Sequence, residues 1–154
     1  MKKIIITGGS GTVGTAFIQK YYKKFKFYNI SRNESQISNL KNNFPEVKNY
    51  ISDILNLDNL INIFESINPD IVIHSAALKH VNLAEENPTS AIETNIRGSL
   101  NVIKASIRAQ VPITVGVSTD KACEPDNIYG YTKKIMEKMF MEHHNLKTKF
   151  IGTR

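Results

Sequence analysis

Strands and helices alternate along the whole of this 154-residue chain, which predicts an α/β fold: a doubly wound parallel sheet with helices on both faces. Two observations carry the prediction. Short β-branched runs such as "IIIT", "IVIH" and "ITVGV" recur, each of a length that suits a buried strand. Between them lie longer segments whose apolar residues return at helical spacing.

Taken in order, "KKIIIT" is a first strand ended by glycine, and residues 12–22 a helix. "KFKFYNI" is the second strand, and "ESQISNLKNNF" a helix with Ile37 and Leu40 inward. "VKNYIS" is the third strand, and "LDNLINIFESI" a helix presenting Leu57, Leu60, Ile61 and Phe64 on one face. "DIVIHSA" is a fourth strand that contains His74. "NPTSAIETNIRGSLNVIKASIRAQ" reads as one long helix, capped by Asn87, with Pro88 at the first helical position, where no N–H is needed. "ITVGVST" is the fifth strand. Residues 127–144 form a helix with Ile135, Met139 and Phe140 as its apolar face and His143 and His144 at its frayed end. "TKFIGT" begins a sixth strand, so residues 1–154 read as one unit truncated at about that strand.

Hydrophobic residues make up 41% and charged residues 22%, the balance of a water-soluble globular domain, and no solenoid-like repeat is present. No apolar run approaches the ~20 residues of a membrane helix, and the run in "MKKIIITGG" is too short for a signal segment, so a cytoplasmic location is expected. The single Cys123 allows no internal disulfide, and no cluster at ligand spacing predicts a metal. The net charge of +6 suits an anionic partner. "YYKKFKFY" interleaves lysine with aromatics, but it reads as a helix end, with Lys23 and Lys24 near the negative pole, followed by a strand with Phe25 and Phe27 inward; no nucleic-acid role is expected.

"ITGGSGTVG" places Gly8, Gly11 and Gly14 between a strand and a helix. Such a loop turns tightly, and its backbone approaches a pyrophosphate seated on the positive helix N-terminus, which predicts a dinucleotide site. At the end of the second strand, where an acidic residue would bond a ribose 2′-hydroxyl, the chain has Ser31 and Arg32 in "ISRNE". A guanidinium and a hydroxyl suit a 2′-phosphate, so NADP is expected over NAD. Asp53 is placed either to accept from the adenine amine or to cap the next helix.

The segments "TGGSGTVG", "ISRNE", "HSAALKHVNLAEENP", "ETNIRGS" and "STDKACEPDNIYGYTK" together span the chain. In them it resembles the extended short-chain dehydrogenase/reductases, and specifically the inverting UDP-N-acetylglucosamine 4,6-dehydratases of the polysaccharide-biosynthesis family. The Tyr-x-x-x-Lys pair belongs to the wider superfamily; "AALKHV", and "STDK" ahead of "YGYTK", are the specific signals. The resemblance implies an NAD(P)-binding Rossmann fold. It also implies cofactor contacts from Gly8, Ser10, Gly11, Thr12, Val13, Gly14, Ser31, Arg32, Asp53, Ile54, Ala76, Ala77, Lys79, Tyr129 and Lys133.

Tyr129 and Lys133 are four apart on a helix and share a face, so the ammonium is expected to lower the phenol toward working pH. The resemblance implies that Tyr129 takes the C4 hydroxyl proton as hydride leaves for the nicotinamide. Lys133 bonds the nicotinamide ribose, and Thr119 holds the sugar hydroxyl. Oxidation at C4 acidifies C5–H, and loss of water across C5–C6 follows, with inversion at C5. Asp120 and Lys121 serve that elimination, Lys121 as C5 base and Asp120 as acid, with the division between them open. Lys79 and His80 resemble the family segment beside the nicotinamide, and Asn95 either bonds a backbone carbonyl or relay water or is merely exposed.

Family members continue beyond this length, into the region that grips UDP. The implied activity is therefore that of a sugar-nucleotide lyase of which this chain is the cofactor-binding part. The alternative is an inactive NADP(H)-binding module, or a half-enzyme completed by a homo-oligomer or a second chain.

Overall fold

The computed structural model describes residues 1–144 and 147–154. Six strands form one parallel sheet: β1 (Lys3–Thr7), β2 (Lys26–Ser31), β3 (Lys48–Ile51), β4 (Ile71–His74), β5 (Ile113–Val117) and β6 (Lys149–Thr153). Their order is β3-β2-β1-β4-β5-β6, the doubly wound order, so the chain reverses direction between β1 and β4 and opens a crevice at their carboxyl ends. Ile4, Ile5 and Ile6 of β1 are at most 1% exposed, as a central strand covered on both faces requires.

Helices α1 (Thr12–Tyr21) and α2 (Glu34–Asn43) lie on one face, where Ile4, Ile6, Ile18, Phe27 and Leu40 pack together, with Phe25 against them. Asn33 caps α2 by accepting from the Gln36 N–H. On the other face Ile5, Val72, Leu60, Phe64 and Val102 join the sheet to α3 (Leu57–Ile67) and α6 (Gly98–Arg108). The bounds of α3 are those the sequence predicts, set by the Asn56 cap and by Asn68 in the left-handed region at φ 49°. Its buried face is rotated from the expected one: Ile63 and Ile67 join Leu60 and Phe64, while Leu57 and Ile61 are half-buried.

The expected single helix from 87 to 110 is a composite. Pro88–Ile92 (α5) passes into a π turn, Glu93–Arg97, and then into α6. Asn87 is not its side-chain cap; its amide donates to the Leu83 carbonyl instead and closes α4 (Val81–Glu86), a short helix absent from the sequence reading. α7 (Ile128–Glu142) buries Met136 and Phe140 against Ile103 and Phe150, whereas Ile135, assigned to its apolar face, is exposed. The glycine of β5 admits this helix: a Cβ on Gly116 would meet the Phe140 ring at 2.8 Å.

His74 is fully buried at the end of β4. Its Nδ1 pairs with Thr7 Oγ1 at 2.7 Å, its Nε2 with Ser99 Oγ at 2.8 Å, and its ring stacks on Phe140. Burial, and then the charge of Lys133, push its pKa down to about 3, so the imidazole is neutral. The folded value lies below the unfolded 6.5. The stability it contributes is therefore complete above pH 6.5 and is lost as pH falls toward 3, at up to about 1.4 kcal/mol per pH unit. Urea midpoints measured from neutral to mildly acidic pH are expected to fall accordingly. In His74→Gln, less stable at neutral pH, the slope is expected to flatten.

Candidate active site

A groove of about 390 Å³ runs along the carboxyl ends of β1, β2 and β4. Gly8, Ser10 and Gly11, with Thr12 and Val13 of α1, form one wall; Ser31, Arg32, Asp53 and Ile54 form the far end; Ala76, Ala77 and Lys79 form the other wall. Gly14 is not part of the lining. It lies beneath the loop, and a Cβ there would run into Gly9 Cα, so it lets α1 pack against the turn. Gly8 has φ 74°, and a Cβ on it would meet the Ala76 nitrogen at 2.8 Å, so only glycine lets the two walls approach this closely. Gly11 precedes α1 with no side-chain cap, which leaves first-turn N–H groups open to the groove. These features fit the phosphates of a dinucleotide.

At the far end Arg32 Nη1 meets Asp53 Oδ2 at 2.8 Å, with both side chains substantially exposed. Asp53 Oδ1 also accepts from the Leu55 N–H, but the cap of α3 is Asn56, so the capping reading of Asp53 is overturned. Ser31 Oγ donates to Asn29 Oδ1 at 2.8 Å. Lys79 reaches across the groove to Thr12 Oγ1 at 3.2 Å. Asn33, Gln36, His80 and Thr94 also line the groove. Of these, sequence reasoning raised only His80 for a site; Asn33, directly after "SR", and Gln36, in the first turn of the helix that follows, were the legible signals.

The chemistry-bearing residues lie after β5. Thr119 caps a single 3₁₀ turn, Asp120–Ala122, and α7 brings Tyr129 beside it. Asp120 Oδ1 accepts from the Thr119 hydroxyl at 2.9 Å and from the Lys121 N–H at 3.0 Å, and lies 3.7 Å from the Lys121 ammonium. The Thr119 hydrogen bond, then the Lys121 charge, hold this carboxyl below the usual carboxylate range. Asp120 is thus an anion, opposite in sense to the shift that an acid acting at neutral pH needs.

Tyr129 departs from expectation as well. Burial pushes its phenol above 10; the Thr119 hydroxyl opposes the shift and the Asp120 charge adds to it. The Lys133 ammonium is not among the groups that shift it, because the Lys133 side chain is folded back into the core, 2% exposed, donating to Met136 Sδ at 3.3 Å. Desolvation lowers Lys133 to about 8. The groove lining does not extend to Thr119, Asp120, Lys121, Tyr129 or Lys133. Of the two alternatives for Asn95, exposure is overturned and the backbone-carbonyl bond is found: it is buried, its Oδ1 accepts from the Leu78 N–H, and its Nδ2 donates to the Leu78 carbonyl and to Thr132 Oγ1. It ties the groove wall after β4 to α7.

The chain matches the model of the polysaccharide biosynthesis protein family over residues 4–154. It belongs to that family. It is 38% identical over 162 aligned positions to a UDP-N-acetylglucosamine 4,6-dehydratase (inverting) of Campylobacter jejuni, covering 99% of this chain and 48% of that protein. A UDP-glucose 4-epimerase of Rickettsia bellii is 34% identical over 165 positions, covering 99% and 48%. Among solved structures, Pen from Bacillus thuringiensis superposes with a TM-score of 0.91 at 35% identity, covering 98% of this chain and 49% of that one. The chain spans about half the length of the curated relatives it matches. Among the described residues, no helix is long and apolar enough to cross a membrane, and no group of three potential ligands could hold a metal.

The half-buried phenol makes a direct prediction. Titration followed by tyrosinate absorbance is expected to show one phenol ionising above the ordinary tyrosine range in the free protein. That component is expected to be absent in Tyr129→Phe.

Proposed function

We propose that this chain is the cofactor-binding part of an NADP-dependent nucleotide-sugar 4,6-dehydratase, a lyase that dehydrates UDP-N-acetylglucosamine with inversion at C5 for surface-polysaccharide synthesis. The observation that carries the reading is the Asp120–Lys121 pair set against the Tyr129 phenol, on the turn that follows β5. Oxidation and reduction at C4 need only the phenol and its lysine. A carboxylate and an ammonium beside them are what removal of a C5 proton and a C6 hydroxyl additionally requires.

A nicotinamide cofactor held between the Gly8–Val13 loop and the Ala76–Lys79 wall would supply the hydride chemistry, reversible transfer between sugar carbon and ring. The chain's own residues handle the protons. Thr119, whose side chain already bonds Asp120, holds the C4 hydroxyl, and Tyr129 takes its proton. Lys133 swings from Met136 toward the phenol and the ribose, lowering the phenol that burial otherwise raises. Asp120 and Lys121 then take the proton from C5 and give one to the departing C6 hydroxyl, which leaves as water, and a proton is returned to the opposite face of C5 as C6 is reduced. For Asp120 to act as the acid, enclosure of the sugar has to raise its pKa from the low value set by Thr119 and Lys121.

At the far end of the groove, Arg32, whose present partner is the exposed Asp53, would hold the 2′-phosphate, with Ser31 beside it. Arg32→Ala is therefore expected to weaken NADP binding about tenfold or more, the cost of one charge-assisted contact, and to leave NAD binding nearly unchanged.

A second reading is favoured by the groove's failure to reach Thr119 or Tyr129: the chain binds NADP(H), and another polypeptide completes the sugar pocket. Proton NMR of UDP-N-acetylglucosamine incubated with the chain and NADP separates the two. A C6 methyl doublet beside a 4-keto product, lost in Tyr129→Phe and Lys121→Ala, is expected from the dehydratase. Absence of the methyl signal with NADP bound assigns the chain to the half-enzyme.

A further inference from the structure

Lys133 is a buried amine in a site with little to hold its charge. Its hydrogen-bond partner is a thioether, a weak acceptor, and desolvation drives it toward the neutral form, with a pKa near 8. The working lysine has to be an ammonium to stabilise a phenolate. Among the described residues the groups around it are His74 from β4, neutral; Tyr129 and Glu137 from its own helix; and, farther out, Asp120 and Lys121 beside the phenol and Arg154 on Glu137. Glu137 is the one carboxylate whose charge opposes the desolvation of Lys133.

Glu137 is placed for this. Tyr129, Lys133 and Glu137 follow one another at four-residue intervals on α7 and so share a face. The Glu137 side chain is only 15% exposed and lies over Gly152 of β6. Arg154 grips both carboxylate oxygens, at 2.9 and 2.7 Å, and also touches Cys123 Sγ at 3.1 Å. The Ser118 hydroxyl, buried at the end of β5 and without a closer partner, faces the same carboxylate. Glu137 is held below the usual carboxylate range, by the Arg154 hydrogen bonds first, so it is an anion at neutral pH.

We propose that Glu137 is a positioning residue for the Tyr129–Lys133 pair: its carboxylate, pinned by Arg154, is the anion against which the buried Lys133 ammonium is held. Arg154 has a double effect. It fixes the carboxylate in place, and its own charge competes with Lys133 for that carboxylate. The two partners of the ion pair therefore act on Lys133 with opposite sign. The proposal rests on assigning Lys133 to the phenol and ribose, but its test needs no turnover.

The test follows the lysine side-chain ε-carbon signals by NMR across a pH titration of the free protein and of its NADPH complex, with the Lys133 signal assigned by its loss in Lys133→Arg. In Glu137→Gln the Lys133 midpoint is expected to fall by about one pH unit or more, the usual effect of removing a close opposite charge. In Arg154→Gln it is expected to rise, because the carboxylate loses its competing cation. Glu137→Asp, which keeps the charge, is expected to restore most of the midpoint, and carries the test together with Arg154→Gln if Glu137→Gln does not fold. An unmoved midpoint in a folded Glu137→Gln, or movement of both ion-pair variants in the same direction, makes the pair a strap between α7 and β6 and overturns the proposal. Absence of a C6 methyl product would count against the dehydratase reading and leave this titration intact.

Discussion

The imidazole of His74 is bonded on both nitrogens and stacked on a phenyl ring, and much of the active-site half of the fold hangs from it. Through Thr7 it joins the ends of β1 and β4, the two strands between which the crevice opens. Through Ser99 it reaches the composite helix just past the π turn, and Ser99 in turn donates to the Asn95 carbonyl. Asn95 then holds Leu78 by both backbone groups and reaches Thr132 on α7. One continuous set of buried hydrogen bonds therefore spaces the glycine loop, the wall after β4 and the first turns of α7. Such a network is stabilising only when every member is satisfied, which a neutral imidazole between two hydroxyls achieves and an imidazolium beside Lys133 does not.

The two ends of the site are built on different physics. The groove relies on backbone: glycines that permit close approach and open N–H groups at a helix start, with charge confined to Lys79 and the Arg32–Asp53 pair. The turn after β5 relies on side chains in direct contact, where one hydroxyl serves both a carboxylate and a phenol. The first kind of site tolerates exposure because its donors are fixed by the fold. The second has its charges set by local partners, and enclosure alters it most.

The strands themselves, the limits of α3 and the glycine loop were legible because each rests on local chemistry: β-branched runs, an Asn cap, a turn that only glycine makes. What was missed depends on packing between segments. The shift of the α3 face from Ile61 to Ile63 follows from how the helix settles on β1 and β4, which periodicity does not encode. α4 is too short to show a period. The spacing of Tyr129 and Lys133 places them on one face but says nothing of rotamer, and the amine turns to Met136. Nothing in the local sequence marks Glu137; it is Arg154, just past β6, that holds its carboxylate.

The π turn at Glu93–Arg97 sets the register of everything that follows it in the composite helix. Each residue of an α-helix turns the chain by about 100°, so a segment wound one residue wider per turn offsets the later part by that amount. Past the offset, Gly98 faces Ile54 with no room for a Cβ, and Asn101 donates to the carbonyls of Ile54 and Leu55, just beyond Asp53. A single-residue deletion within 93–97 would yield a more regular helix and a worse protein, since Ser99 would turn away from His74 and Asn101 from the chain after β3. At this point of the chain, substitutions are open to gradual change, whereas its length is not.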